Sequence, residues 1–197
     1  MATTQFPKLF EPGRIGGMTL KNRLVMPAIG SNLAGADGHV TDRMIDYYAE
    51  RAKGGAGLVI VELAVIELRG KHVAAELSIE DDACLPGLTR LAEAIQKGGA
   101  RAAIQIAHGG REAKSNLAHA QPVGPSPVPS WAAHSEMPRE LTVAEIAELV
   151  ERFAQAAVRA QKAGFDGVEI HGAHYYLITQ FLSAASNVRT DSYGGSL

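Results

Sequence analysis

The sequence predicts an α/β fold, a parallel (β/α)8 barrel of the TIM type, on three observations. A lysine, a glycine-containing turn and a short branched apolar run recur at 53–62 ("KGGAGLVIVE"), 97–106 ("KGGARAAIQI") and 162–171 ("KAGFDGVEIH"). Each run follows a stretch with helical spacing of apolar residues, and short buried strands alternating with helices of ten or more residues imply parallel pairing through right-handed crossovers. The turn after the first strand, "MPAIGSNLAG", carries neither G-x-G-x-x-G nor G-x-x-x-x-G-K-[ST], the phosphate-binding signatures expected of a doubly wound sheet.

Taken in order, "RLVMPAI" at 23–29 reads as the opening strand. The spacing predicts a helix over 42–53, with Thr41 as N-cap and Gly54 where a C-terminus favours positive φ. After the strand ending at residue 62, Leu88, Leu91 and Ile95 mark a helix over 85–97 that stops before Gly98. The third helix begins at a T-x-x-E capping box, Thr142 with Glu145. It shows one apolar face of Ile146, Leu149, Val150, Phe153 and Ala157, and closes at Gly164. The order is βαβαβαβ. Four strands supply half of an eight-stranded barrel, which needs about 250 residues. Residues 1–197 therefore read as one domain, the N-terminal half of a barrel and incomplete by itself.

Between the third strand and the capped helix, "QPVGPSPVPSWAAHSEMPRE" holds five of the nine prolines, which rules out a helix and disfavours a central strand. This stretch is read as part of a long ordered loop, 112–140, with Trp131 as a lid over the strand C-termini, where a barrel gathers its functional loops. The same rule brings His108, Gly109, Gly110 and Arg111 to that end, together with the cluster in "GVEIHGAHYYLITQFLS".

Scattered lysines and arginines and a formal net charge of -2 argue against a nucleic-acid partner. No apolar run approaches the roughly 20 residues of a membrane span, and "MATTQFPKLFEPG" lacks the order of a signal peptide, so a cytoplasmic protein is expected. Cys84 is the single cysteine and can form neither an internal disulfide nor a cysteine-ligated iron–sulfur cluster.

His171 and His174 could hold a metal, but a catalytic zinc site usually takes a third protein ligand, and Glu169 lies about 6–7 Å deeper along the strand. A metal-dependent hydrolase is thus one alternative; hydrogen-bonded structural histidines are another. Gln105, inside the apolar run "AAIQIAH", needs partners for its amide, either a neighbouring strand or a ligand edge with alternating donors and acceptors. Glu62 reads as a structural residue anchoring a loop. Arg111 and Arg189 could pair with acidic residues such as Asp191 or with a ligand anion.

Together, "NRLVMPAIG", "GAGLVIVE", "IQIAHGGR", "GPSPVP", "PRELTVAEIAELVERFAQAAVRAQKAGFDGVEIHGAHYYLITQFLS" and "SNVRTDSYGGSL" resemble the old yellow enzyme family of NADH:flavin oxidoreductases, in particular the branch with 2,4-dienoyl-CoA reductases. The resemblance implies an FMN-binding barrel with NAD(P)H as electron donor. Pro27, Ala28 and Ile29 would run along the flavin, Gly30 would lie near its reactive edge, Leu63 would approach from the second strand, and Gln105 would hydrogen-bond the pyrimidine side. His171 and His174 would grip a substrate carbonyl and Tyr176 would donate the proton. The implied reaction reduces the C=C bond of an enone or enoyl thioester. Larger family members add a 4Fe–4S cluster and FAD beyond the barrel. Tyr175 stands where the family usually has glycine, and Gly30 cannot form the cysteinyl-flavin link of some amine dehydrogenases. Raw strand edges imply a homo-oligomer or a partner completing the barrel, and a non-catalytic half-barrel module is the remaining alternative.

Overall fold

The computed structural model describes residues 5–132 and 135–196; residues 133 and 134 of the long loop and Leu197 of "SNVRTDSYGGSL" lie outside the described residues. A short helix α1 (Pro7–Phe10) leads into an antiparallel hairpin, β1 (Gly13–Ile15) and β2 (Met18–Leu20), which the strand pattern did not announce. Then come β3 (Val25–Met26), α2 (Asp42–Lys53), β4 (Leu58–Val65), β5 (Leu77–Ser78), α3 (Leu85–Lys97) and β6 (Arg101–Ala107). Past β6 lie α4 (Ser115–Ala118), β7 (Val123–Gly124), β8 (Arg139–Glu140), α5 (Val143–Lys162), β9 (Gly167–Ile170) and α6 (Leu177–Leu182).

The main sheet runs β3-β4-β6-β9, all parallel, with β5 beside the C-terminal end of β4. Helices α2, α3 and α5 cover one face. Their buried side chains, among them Tyr48, Leu88, Leu91, Ile95 and Ala160, pack on Val59, Val61, Ile104 and Ile106 of the strands. A smaller cluster of Leu20, Leu58, Ile60 and Ala103 lies on the opposite face. Among the described residues no helix is long and apolar enough to cross a membrane.

The opening strand is much shorter than 23–29. Pairing ends at Met26, which leaves Pro27 to Gly30 as irregular chain beyond the ladder. The α2 turn also departs from expectation. Gly54 has φ −64° and the positive φ, +109°, falls on Gly55; Gly98 and Gly99 repeat the arrangement. Gly98 serves close approach instead, since a Cβ there would sit 2.6 Å from that of Ala52. Gly164 does take positive φ, +90°. The α5 capping box forms as read: Thr142 Oγ1 accepts from the Glu145 N–H at 3.2 Å and Glu145 accepts from the Thr142 N–H at 2.9 Å. Val150 faces outward, 63% exposed, so the apolar stripe of α5 is wider than the surface it covers.

Candidate functional site

The parallel strands aim their C-termini at one end, and five segments meet there. The first is the chain after β3. Glu62, only 2% exposed, anchors it: its Oε2 accepts from the Ser31 N–H at 2.8 Å and from the Tyr48 hydroxyl at 3.1 Å, while the Tyr48 oxygen accepts from the Glu62 N–H. Burial, with the Glu62 carboxylate beside it, drives the Tyr48 phenol far above its usual range, so it stays a donor. This cradle fixes Ala28, Ile29 and Gly30, whose backbone N–H groups donate to no other part of the described chain.

Next, the β4 register breaks between Val61 and Ala64, and the irregularity lets the consecutive residues Glu62 and Leu63 both face the site. Gln105 enters from β6. Its amide N–H donates to Oε1 of Glu169, its cross-strand partner, at 2.5 Å. The strand partner considered for Gln105 therefore exists, and Glu169 is committed to it. Among the described residues no three of His, Cys, Asp or Glu gather as a metal site.

After β9 the chain turns sharply. His174 and Tyr175 both hold left-handed backbone, at φ 55° and 62°, and this double reversal brings three rings together. His174 Nδ1 lies 3.3 Å from His171 Nε2, and the His171 and Tyr176 ring centroids are 5.0 Å apart. Burial, then the neighbouring His174, hold the His171 imidazole below its usual value, which favours the neutral ring. The Tyr176 phenol is pushed up by burial and by the carboxylates of Glu76 and Glu112.

The segment after β4 contributes two residues that the sequence reading missed. His72 Nε2 lies 2.7 Å from Tyr176 Oη, and His72 Nδ1 lies 2.8 Å from Glu76 Oε1. Nothing in "GKHVAAE" advertised them, because the stretch is neither periodic nor helical and its partner is 104 positions away.

A cavity of about 290 Å³ joins Ala28, Ile29, Gly30, Leu63, Gln105, His171, His174 and Tyr176, with His72 and Glu76 also on its wall. Arg111 and Arg189 are spent elsewhere. Arg111 Nη1 donates to the carbonyls of Val128 and Pro129 and so ties down the proline-rich loop. Arg189 pairs with Asp191 and donates to the Pro125 carbonyl at 2.9 Å. His108 is buried against Glu67 at 2.9 Å, a structural pair. Trp131 lines an adjoining cavity with His174, Tyr175 and Tyr176 and is 76% exposed, its ring 6.0 Å from that of Tyr175.

The residues fit a flavin. Unpartnered backbone donors at 28–30, the Gln105 amide and the apolar Leu63 line one concavity, and a planar ring edged with alternating donors and acceptors matches that set. Comparison with known proteins points the same way. The pattern of the NADH:flavin oxidoreductase / NADH oxidase family matches residues 8–197. An NADH oxidase from Thermoanaerobacter brockii is 49% identical over 195 residues, covering 98% of this chain and 30% of that protein. The structure of a 2-naphthoyl-CoA reductase in complex with 2-naphthoyl-CoA superposes with a TM-score of 0.94 at 34% identity, over 97% of this chain and 31% of that one. An old yellow enzyme homologue from Zymomonas mobilis gives a TM-score of 0.89 at 36% identity, over 96% of this chain and 55% of its own. The chain thus spans between 30% and 55% of the length of these relatives, and its architecture is the corresponding half of their TIM barrel.

Proposed function

The chain belongs to the NADH:flavin oxidoreductase / NADH oxidase family, and on that premise we propose that it forms the substrate-gripping part of an FMN-dependent enzyme in which NAD(P)H reduces the C=C bond of an α,β-unsaturated carbonyl or enoyl thioester. One observation carries this reading: Tyr176 and the His171–His174 pair share a single cavity with Gln105, Leu63 and the free backbone donors of 28–30. When bound, FMN supplies the redox chemistry, taking a hydride from NAD(P)H and passing it to the β-carbon of the alkene.

The backbone of Pro27, Ala28, Ile29 and Gly30, the Leu63 side chain and the Gln105 amide hold and orient the ring in this reading. His171 and His174 donate hydrogen bonds to the carbonyl oxygen of the substrate, where negative charge develops. Tyr176 stands ready on the same wall to protonate the α-carbon, and its raised pKa keeps the proton in place at neutral pH. The relative seen with 2-naphthoyl-CoA supports a thioester among the substrates. The longer relatives leave room for a 4Fe–4S cluster and FAD outside these residues, since one cysteine cannot supply four thiolates. In the same reading the working unit is cytoplasmic, and a homo-oligomer or a further barrel segment completes it.

Stopped-flow absorbance on FMN-loaded protein tests the assignment. Tyr176→Phe should slow the alkene step by roughly 10²–10⁴, the usual contribution of a positioned general acid. The NAD(P)H step should keep its rate. Equal loss in both steps would remove Tyr176 from the chemistry.

A further inference from the structure

We propose that His72 and Glu76 complete a proton relay to Tyr176, with His72 returning a proton to the phenol oxygen as that oxygen gives its own to the substrate. The inference rests on the reading of Tyr176 as proton donor. Its geometry spans two distant parts of the chain: Tyr176 Oη and His72 Nε2 are 2.7 Å apart, with ring centroids at 4.7 Å. Glu76, 4% exposed, is pinned by the loop that carries the imidazole, because its Oε2 accepts from the backbone N–H groups of His72 at 2.8 Å and Val73 at 3.2 Å. Its other oxygen stands 2.8 Å from His72 Nδ1 at an angle too poor for a hydrogen bond. That buried contact leaves a carboxylate facing a ring nitrogen, an arrangement suited to an imidazole that carries a second proton.

The relay solves a problem set by the site. A lone phenol that gave up its proton would become a phenolate, and burial together with the carboxylates of Glu76 and Glu112 makes phenolate costly here. With both His72 nitrogens protonated, Nε2–H donates to Oη while the phenol O–H faces the α-carbon. The new C–H bond forms as that O–H breaks, and a new O–H forms as Nε2–H breaks. What remains is a neutral phenol and a neutral imidazole whose Nδ1–H faces Glu76. One proton is consumed, and solvent restores it to Nε2. The other groups facing His72 are His171, which lies within electrostatic reach, Glu62, which lines the same cavity, and Arg111, Glu112, Lys114, His174 and Tyr175, which share an adjoining cavity with it.

His72→Gln is expected to slow the alkene step about a hundredfold, the lower end of the range for assisted proton transfer, and to leave the NAD(P)H step at its parent rate. The relay predicts that the alkene step of the parent falls with rising pH and that this fall is absent in the variant. Glu76→Gln keeps an oxygen for the two backbone donors but loses the charge, and should shift that fall to lower pH. A parent-like pH profile in both variants, or equal slowing of the two steps, overturns the relay. Tyr176→Phe separates the failures: if it leaves the alkene step intact, the proton-donor reading falls, whereas a slow Tyr176→Phe beside an unaffected His72→Gln sinks the relay alone. A flavin-free readout is ¹⁵N-histidine NMR, in which the His72 Nε2 resonance should move on Tyr176→Phe. An unmoved resonance removes the hydrogen bond on which the relay stands.

Discussion

Tyr175 places a bulky aromatic side chain in left-handed backbone, φ 62°, where such residues cost roughly 1–3 kcal/mol. Its ring gains little burial in return, being 59% exposed beside Trp131. Tyr175→Gly should therefore raise stability by about 1 kcal/mol in urea denaturation, after allowance for the entropy a glycine loses on folding. Tyr175→Ala keeps the strain and should not stabilise. If both variants stabilise equally, the ring and not the backbone is at fault. His171 supplies a second test. Its imidazole is held low in the free protein, so an anionic ligand seated on the histidine pair should draw a proton in, and affinity should rise as pH falls through the weakly acid range. Calorimetry in two buffers of different ionisation enthalpy would reveal the uptake, and a buffer-independent enthalpy would contradict it. At this scale the sequence was legible where polar residues interrupt apolar runs, as at Gln105, His171 and Tyr176. His72 and Glu76 stayed hidden because their significance is created by a contact across the fold.

Elements followed local rules closely, and departures arose where tertiary structure sets the boundary. The α5 start was readable because the capping box is a four-residue device; Glu145 satisfies the Thr142 N–H and also binds Arg139 at 2.9 Å. Thr142→Ala should cost about 1 kcal/mol. Arg139 and the Thr142 N–H hold the Glu145 carboxyl at about 2, below its ordinary 4.5. A depressed carboxylate stabilises above its unfolded pKa, so this contribution fades as pH falls from about 4.5 toward about 2. Acid titration of stability should show that loss in the parent and less of it in Glu145→Gln; identical acid profiles would remove the pair from the ledger. The end of β3 obeyed no such local signal. "VMPAI" is apolar throughout, yet pairing stops at Met26, with Pro27, which has no N–H to donate, immediately following. The hairpin β1–β2 and the two-residue strand β5 carry too few residues to display a period.

Taken whole, the molecule leaves apolar surface on the side of the sheet that helices normally cover. Val168 and Ile170 of β9 are 39% and 60% exposed, and next to them a groove of about 640 Å³ runs between α5 and α6, lined by Phe153, Leu177, Phe181 and Leu182. Among the described residues the parallel sheet also ends in two strands, β3 and β9, each paired on one side only. Parallel sheets are ordinarily buried on both faces, and an open edge beside an apolar groove favours association. Residues 1–197 expressed alone should therefore self-associate at micromolar concentration, as light scattering coupled to size exclusion would register. Ile170→Lys places a charge on the exposed side chain without entering the buried core, so it should shift the population toward monomer while the far-ultraviolet dichroism stays unchanged. A parent chain that is monomeric throughout would mean that the α5–α6 groove closes on its own side chains in solution. Self-association that survives Ile170→Lys would move the contact to the β3 edge, on the far side of the sheet.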